Sequence, residues 1–255
     1  MLSFVGLVES RYDAGSWPTG WTTAAVAFRT GGKQPELWDA VTGSIRELPD
    51  WREENGRTVV PLTLAPRASC FVVFRTKAEA GRSTEAKNFP ELKPLAELAD
   101  PWTVSFDPKW GGPESVVFEK LEDWTRRPEE GIRYYSGTAT YRQTFDLPQT
   151  SRRPNTRVYL DLGRVQNLAA VRLNGKDLGV VWTAPWRVEI TDAVKPTGNR
   201  LEIDVVNLWR NRLIGDAALP PEKRLTRTNV RKLKKDSPLL ESGLLGPVTL
   251  QEVIP

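Results

Sequence analysis

The chain has 255 residues, of which 39% are hydrophobic and 27% are charged, and its net charge is +4 at pH 7. This composition is typical of a folded globular protein and excludes both a disordered tail and a fibrous repeat. The absence of histidine from the sequence excludes Ser-His-Asp and Cys-His triads, histidine-bound zinc and imidazole acid–base chemistry. Paired carboxylates, the groups that carry out glycoside hydrolysis, remain available.

The N-terminal apolar run, residues 2–8, is too short for a signal peptide. No stretch approaches the roughly 20 apolar residues that a membrane-spanning helix needs, so the sequence predicts no membrane partner. The single cysteine, Cys70, lies in an alternating apolar run. It is therefore predicted to be a small buried thiol, and no intrachain disulfide can form.

Residues 1–75 are predicted to form a small, partial, Ig-like antiparallel β-sandwich. Apolar side chains alternate with a period of two, which indicates strands with one buried face. Val60, Leu62 and Leu64 share one face of a strand. Cys70 and Phe74 share one face of the next.

Residues 76–100 are predicted to be a linker. The alternation stops there, and Lys, Glu, Ala and Pro dominate. One helical turn is expected at residues 95–98.

Residues 101–255 are predicted to form a jelly-roll β-sandwich, which makes the fold class all-β. Alternating runs are centred on Leu160, Val171, Val188 and Ile203, with Gly, Pro and Asn between them. The Asn-Gly pair at residues 174–175 is a strong hairpin signal. A single large β domain remains the alternative to two domains.

An ordered series of motifs in this region resembles known carbohydrate-active enzymes. The segments 141–148, 159–163 and 170–179 resemble the sugar-binding jelly roll of glycoside hydrolase family 2. Later segments extend the resemblance to the C-terminal end of the α-L-rhamnosidases of glycoside hydrolase family 106, and these are residues 182–191, 198–203, 207–216 and 242–248. Residues 32–43 are similar to the β-sandwich that precedes the jelly roll in those enzymes.

The resemblance implies a galactose-binding-like, non-catalytic part of a rhamnosidase-like hydrolase. In that family, catalysis belongs to carboxylates of a barrel that lies N-terminal to these domains, and no residue here matches that barrel. We therefore assign no catalytic residue and expect no hydrolysis by this chain alone. Residues 1–23 match nothing in the family, which suggests a truncated, recombined or mis-started gene product, or a divergent end. The sequence assigns no compartment, although the resemblance implies a periplasmic or secreted protein.

The predicted sugar contacts are aromatic and hydrogen-bonding side chains near strand ends. Aromatic rings offer an apolar face to a sugar, and Arg, Asn and Asp can fix its hydroxyls. The candidates are Trp110, Tyr134, Tyr135, Trp182, Asn207, Trp209, Arg210, Asn211, Arg212 and Asp216. The alternatives are that the aromatic residues are packing residues and that Arg212 pairs with Asp216 at helical spacing. The loop at residues 180–184 also departs from the Gly-Gly-Tyr pattern of the family 2 module.

A basic segment at residues 223–235 is the strongest electrostatic feature. Its cations are Lys223, Arg224, Arg227, Arg231, Lys232, Lys234 and Lys235. A solvated surface, an acidic polysaccharide site and a nucleic-acid site are the three interpretations. Nucleic acid is disfavoured, because no recognition motif is present and the charge elsewhere is mixed.

Three functions therefore remain open. The first is binding of carbohydrate, either rhamnose-containing or acidic, and the second is docking to a catalytic barrel on another chain. The third is binding of a polyanion. The sequence predicts no cofactor. Many galactose-binding-like modules carry a structural calcium, but no Asp-x-Asp-x-Asp-Gly loop is present, so no residue is assigned to a metal.

Overall fold

The computed structural model describes residues 2–6, 21–66, 68–78, 86–149, 156–229 and 232–253. The chain forms two compact units, Met1–Glu91 and Leu92–Pro255. Antiparallel sheets build both units, so the predicted all-β class with sandwich architecture is confirmed. No helix within the described ranges has the length and apolarity needed to cross a membrane.

The first unit is a sandwich of two antiparallel sheets. Its strands are β1 (Leu2–Gly6), β2 (Thr22–Phe28), β3 (Lys33–Trp38), β4 (Ile45–Glu47), β5 (Arg52–Glu54), β6 (Arg57–Leu64) and β7 (Ser69–Lys77). One sheet has the order β1-β7-β3-β4 and the other β2-β6-β5. Phe28 and Leu62 from one sheet and Val72 and Phe74 from the other share a buried cluster. The alternating rows predicted from the sequence thus form this core.

Cys70 lies in the same core, as predicted. Burial raises the pKa of its thiol. Since the thiolate is the reactive form of cysteine, this position disfavours reactivity.

The described residues of the second unit form twelve further strands. They are β8 (Leu92–Glu97), β9 (Trp102–Ser105), β10 (Val116–Phe118), β11 (Thr138–Phe145), β12 (Val158–Asp161), β13 (Arg164–Gln166), β14 (Leu168–Leu173), β15 (Lys176–Val181), β16 (Arg187–Glu189), β17 (Asn199–Val206), β18 (Gly243–Gly246) and β19 (Thr249–Val253). Two short helices, α1 (Glu130–Arg133) and α2 (Arg210–Ala217), lie in the connections. Single 3-10 turns span Pro108–Trp110, Trp124–Arg126 and Pro221–Lys223.

These strands form two larger sheets around one core. The six-stranded sheet has the order β10-β9-β11-β17-β14-β15, and the four-stranded sheet has the order β16-β12-β19-β8. Strands β13 and β18 pair separately. Tyr141 and Ile203 from the first sheet and Leu160 and Leu250 from the second are fully or almost fully buried in one cluster. Opposed sheets with alternating buried residues are the arrangement expected of a jelly-roll sandwich.

The hairpin signal at Asn174 and Gly175 is confirmed. Leu173 pairs with Lys176 across a two-residue turn, and both central residues have positive φ. Such a turn requires the left-handed conformation at both positions, which Asn and Gly adopt with little strain.

Part of residues 76–100, the segment predicted as a linker, is a strand in the structure. Leu92–Glu97 forms β8, which pairs with β19, where the sequence indicated a loop and one helical turn. β8 is an edge strand, and Pro94 is tolerated at an edge because its missing N–H removes no bond from an inner ladder. The proline that suggested a linker is therefore compatible with a strand.

Candidate functional site

Strand register places many of the connections of the six-stranded sheet at one end, here called the loop end. Val206, the last residue of β17, pairs with Thr138 at the start of β11 and with Leu168 at the start of β14. Val181, the last residue of β15, pairs with Ala169. β9 also ends there, since it runs antiparallel to β11. The residues that follow β9, β15 and β17, and those that precede β11 and β14, therefore lie together.

All ten predicted sugar contacts belong to these connections. Trp110 follows β9, Tyr134 and Tyr135 precede β11, Trp182 follows β15, and the rest follow β17. The strand before Trp182 lies two positions from β17 in the sheet, which separates the two backbones by about 10 Å. The fold thus brings the candidates to one end of the sheet. They differ in burial, and only the exposed ones are available to a ligand.

The asparagines of the predicted cluster are buried, and their side-chain amides are hydrogen-bonded to other groups of the protein. The side-chain amide of Asn207 donates to Tyr135 O at 2.9 Å and to Ser242 Oγ at 3.0 Å. The amide of Asn211 donates to Ser242 Oγ at 3.0 Å and to Leu240 O at 2.7 Å, and its oxygen accepts from Leu240 N at 2.9 Å. These bonds attach the start of α2 to the connection before β18.

Arg212 and Asp216 form a buried ion pair within α2. Arg212 Nε lies 3.0 Å from Asp216 Oδ1, and the two side chains are 7% and 4% exposed. The other oxygen of Asp216 accepts from the backbone N of Thr226 at 2.7 Å and from its hydroxyl at 2.5 Å. The alternative that these two residues pair at helical spacing is confirmed. Both side chains are therefore almost fully buried.

The two tyrosines at the loop end also pack inward. Tyr135 is fully buried, where its hydroxyl donates to Thr138 O at 2.9 Å and accepts from Asp107 N at 3.1 Å. Burial raises the pKa of this hydroxyl. Tyr134 lies directly against Gly215 of α2, and a Cβ at that glycine would come within 2.7 Å of the tyrosine Cβ. The fully buried ring of Tyr135 therefore offers no free face for stacking on a ligand, whereas Tyr134 is half-buried.

Trp209 is the aromatic residue that this buried framework holds outward. It immediately precedes α2 and is 55% exposed. Its ring meets that of the half-buried Trp110 edge-on, with centroids 5.4 Å apart and an interplanar angle of 80°. Leu208 beside it is 52% exposed, and Trp182 is 57% exposed. Large exposed apolar side chains at one end of a domain indicate a binding surface.

A small pocket adjoins this aromatic surface. Its volume is about 230 Å³, and its lining residues are Gln166, Asn167, Leu208, Leu240, Glu241 and Ser242. The Glu241 carboxylate pairs with Arg164 at 2.6 Å. Beside the pocket, half-buried Arg210 donates to Pro238 O at 3.2 Å.

Sequence reasoning missed the amides of Gln166 and Asn167. The available signal was two consecutive polar residues directly before the apolar strand run that begins at Leu168. Such a pair is typical of a strand end, and only the register shows that this end faces Leu208.

Metal ligation finds no support in the described part of the chain. No group of three or more His, Cys, Asp or Glu residues in it is arranged to hold a metal ion.

Comparison with known proteins identifies relatives of this fold. Residues 119–237 match the family described as Glycosyl hydrolase 2 galactose-binding domain-like. A curated protein of Formosa agariphila, named "Putative beta-glucuronidase", is 37% identical over 276 residues, which cover 97% of this chain and 23% of that protein. The solved rhamnosidase from Novosphingobium sp. PP1Y superposes with a TM-score of 0.86 at 36% identity, covering 98% of this chain and 25% of that chain.

The chain thus spans about a quarter of the length of these two relatives. The matched range runs from residue 119 to residue 237 and includes β11, β14, β15, β17 and α2, the elements that form most of the loop end. Residues 119–237 are therefore similar to the galactose-binding-like domain of glycoside hydrolase-related proteins.

Proposed function

We propose that this chain is the non-catalytic, carbohydrate-binding part of a rhamnosidase-like glycoside hydrolase, and that it contacts sugar through Trp209 and the adjoining pocket. The exposed Trp209 ring, packed edge-on against Trp110, is the observation that carries the proposal. The likeness to a rhamnosidase at 36% identity and a TM-score of 0.86 supports a rhamnose-containing ligand. Membership of family 106 is part of the same proposal.

Trp209 is positioned before any ligand arrives. The Trp110 ring supports it on one side, at 5.4 Å. The buried amide of Asn211 and the hydrogen bonds from Thr226 to Asp216 hold α2 in place behind it. A ring that is already ordered loses little conformational entropy on binding, so its contact area contributes more directly to affinity.

The chemistry of the pocket suits a sugar hydroxyl surface. Gln166 and Asn167 carry amides that both donate and accept, as hydroxyl groups do. Leu208 and Leu240 supply apolar walls that match the C–H groups and the methyl group of a 6-deoxyhexose. A volume of about 230 Å³ lies below the roughly 300–1,000 Å³ of drug-sized sites. The pocket therefore fits one sugar unit, and the next unit would lie over Trp209.

We expect no hydrolysis at this pocket. Glycosidases use two carboxyl groups on either side of the scissile bond. Glu241 is the one carboxylate among the described lining residues, and it is paired with Arg164. The full chain should give no turnover of an aryl α-L-rhamnoside above that of heat-treated protein.

Calorimetric titration of the full chain with rhamnose-containing oligosaccharides tests the proposal. Trp209→Ala should weaken binding about fivefold or more, because truncation of an anchoring aromatic costs over about 1 kcal/mol. Trp21→Ala is the matched control, since that ring is 56% exposed but belongs to the first unit. Unchanged affinity in Trp209→Ala, or equal loss in Trp21→Ala, would contradict the assignment.

Docking to a catalytic domain is the second candidate. Val180 and Trp182 favour it, because they are 54% and 57% exposed on or just after β15, an edge strand. Exposed apolar residues beside an open edge suit a protein partner. If the full chain binds no glycan, so that Trp209→Ala has no glycan affinity to lower, docking to a catalytic domain replaces carbohydrate binding as the proposed function.

A further inference from the structure

The basic segment is an unneutralised cluster of cations. Arg231 lies outside the described residues, and the other six cations are exposed. None of these six forms an ion pair with any residue in the described part of the chain. By contrast, many arginines elsewhere in the second unit pair with carboxylates, namely Arg127, Arg142, Arg157, Arg164, Arg172, Arg187 and Arg212.

The start of this segment forms one wall of a cleft of about 800 Å³, here called the basic cleft. Leu213 and Ala217 of α2 line the opposite wall, and Arg224 and Arg227 line the basic one. Asp216 also lines the cleft, but Arg212 already neutralises it. Apart from Asp216, the charged residues among the described lining residues are two arginines, Arg224 and Arg227, and one carboxylate, Glu222.

The basic wall is fixed to the body of the unit. Thr226 is bound through its backbone and its hydroxyl to Asp216. Arg224 Nε donates to Leu219 O at 2.9 Å. Leu225 lies against Gly111, where an added Cβ would come within 3.1 Å of the leucine Cδ1. The basic wall of the cleft is therefore attached to the rest of the unit by hydrogen bonds and packing, and it adjoins the loop that carries Trp110.

We infer that the basic cleft binds an acidic polysaccharide, through carboxylate or sulfate groups on its sugars. Guanidinium groups pair with such anions through two parallel hydrogen bonds, and the cleft volume falls within the range of ligand sites. Clustered cations without partners repel one another, so an anionic ligand gains from neutralising them.

The choice of polysaccharide over nucleic acid has two supports. No aromatic side chain lines the cleft among the described residues, whereas single-stranded nucleic acid is generally held by stacking on aromatic rings. The second support rests on the proposed function, because a sugar-binding surface at Trp209 lies on the same unit. A nucleic acid is therefore the outcome that would overturn the inference.

Binding of the full chain to polygalacturonate, dextran sulfate and neutral dextran, measured at several salt concentrations, tests the inference. Polygalacturonate presents carboxylates and dextran sulfate presents sulfates, and binding of either one supports it. Arg224→Gln/Arg227→Gln should weaken that binding about tenfold and reduce its salt dependence, because both arginines of the basic wall are lost. Lys195→Gln/Arg200→Gln is the matched control. It removes the same charge from exposed positions of the same unit and should change affinity less than about twofold.

Three results would overturn the inference. They are equal losses in the two double variants, tighter binding to single-stranded DNA than to either acidic polymer, and no binding to either acidic polymer. Trp209→Ala separates this inference from the proposed function. If acidic polymers bind equally well to that variant while rhamnose-containing oligosaccharides bind to neither protein, only the proposed function fails.

Discussion

Replacement of Arg212 by methionine should destabilise the second unit by about 3 kcal/mol. At 3.0 Å from Asp216, the guanidinium contributes an attraction of about 5 kcal/mol at an effective dielectric constant near 20. The Met side chain keeps much of the packing but leaves a carboxylate that is 4% exposed without its counter-charge. Breaking a buried pair in this way costs about 3–5 kcal/mol. The two hydrogen bonds from Thr226 remain, which places the expected loss at the lower end.

Arg164→Met is the matched control for this prediction. Arg164 pairs with Glu241 at 2.6 Å, but the two side chains are 60% and 46% exposed. A surface pair contributes about 1 kcal/mol or less, so this substitution should change stability little. The double variant Arg212→Met/Asp216→Asn should recover at least half of the loss, because the buried charge is gone and the Asn oxygen can still accept from Thr226.

Amide hydrogen exchange in β17 is the appropriate assay. The chain has two units, so one global transition would mix their stabilities, whereas exchange of slow core amides reports on the second unit alone. The reasoning is refuted if Arg212→Met costs no more than Arg164→Met. It is also refuted if removal of the Asp216 charge fails to rescue the Arg212 variant.

Two further substitutions test the packing of α2 and the first unit. Gly215→Ala should lower the free energy of unfolding of the second unit by about 1–3 kcal/mol, since the new Cβ would lie 2.7 Å from the Cβ of Tyr134. Amide hydrogen exchange in β17 measures this change. An unchanged free energy of unfolding would contradict the close contact. In the first unit, hydrogen bonds from Trp38 and Arg75 lower the pKa of Glu36 from its ordinary value of 4.5, against an opposing effect of burial. A lowered pKa stabilises the fold above pH 4.5, and this stabilisation is lost as the pH falls further. The stability advantage over Glu36→Gln should therefore shrink between pH 5 and 3, as measured by exchange of slow core amides in β7 of the first unit. A constant difference would disprove it.

The strands of the core were predictable because their signal is local. Residues such as Leu201 and Ile203 alternate with polar neighbours, and this pattern alone indicates one buried face. The turn at Asn174 was equally local, since its neighbour Gly175 completes a known turn chemistry. Pairing was not local. That Val206 meets both Thr138 and Leu168 depends on contacts far apart in sequence, so the loop end emerged only from the structure.

The polar cluster shows where sequence reasoning reached its limit. Asn207 and Asn211 look like ligands for hydroxyl groups, and each does donate to a hydroxyl, but that hydroxyl belongs to Ser242 of the same chain. Nothing in the local sequence connects α2 to a serine about 30 residues away. The helical spacing of Arg212 and Asp216 was a usable signal for their pairing. Even so, spacing could not show that the pair is buried.

Burial of this cluster explains why the loop end can present an apolar surface at all. A helix of eight residues is marginal by itself, and α2 is held by hydrogen bonds and one ion pair rather than by a large apolar face. The polar side chains of α2 therefore stabilise the short element that displays Trp209. It follows that loss of a buried polar residue should reduce glycan binding and stability together, whereas loss of the Trp209 ring should reduce binding alone. That separation distinguishes a residue that contacts sugar from one that positions the contact.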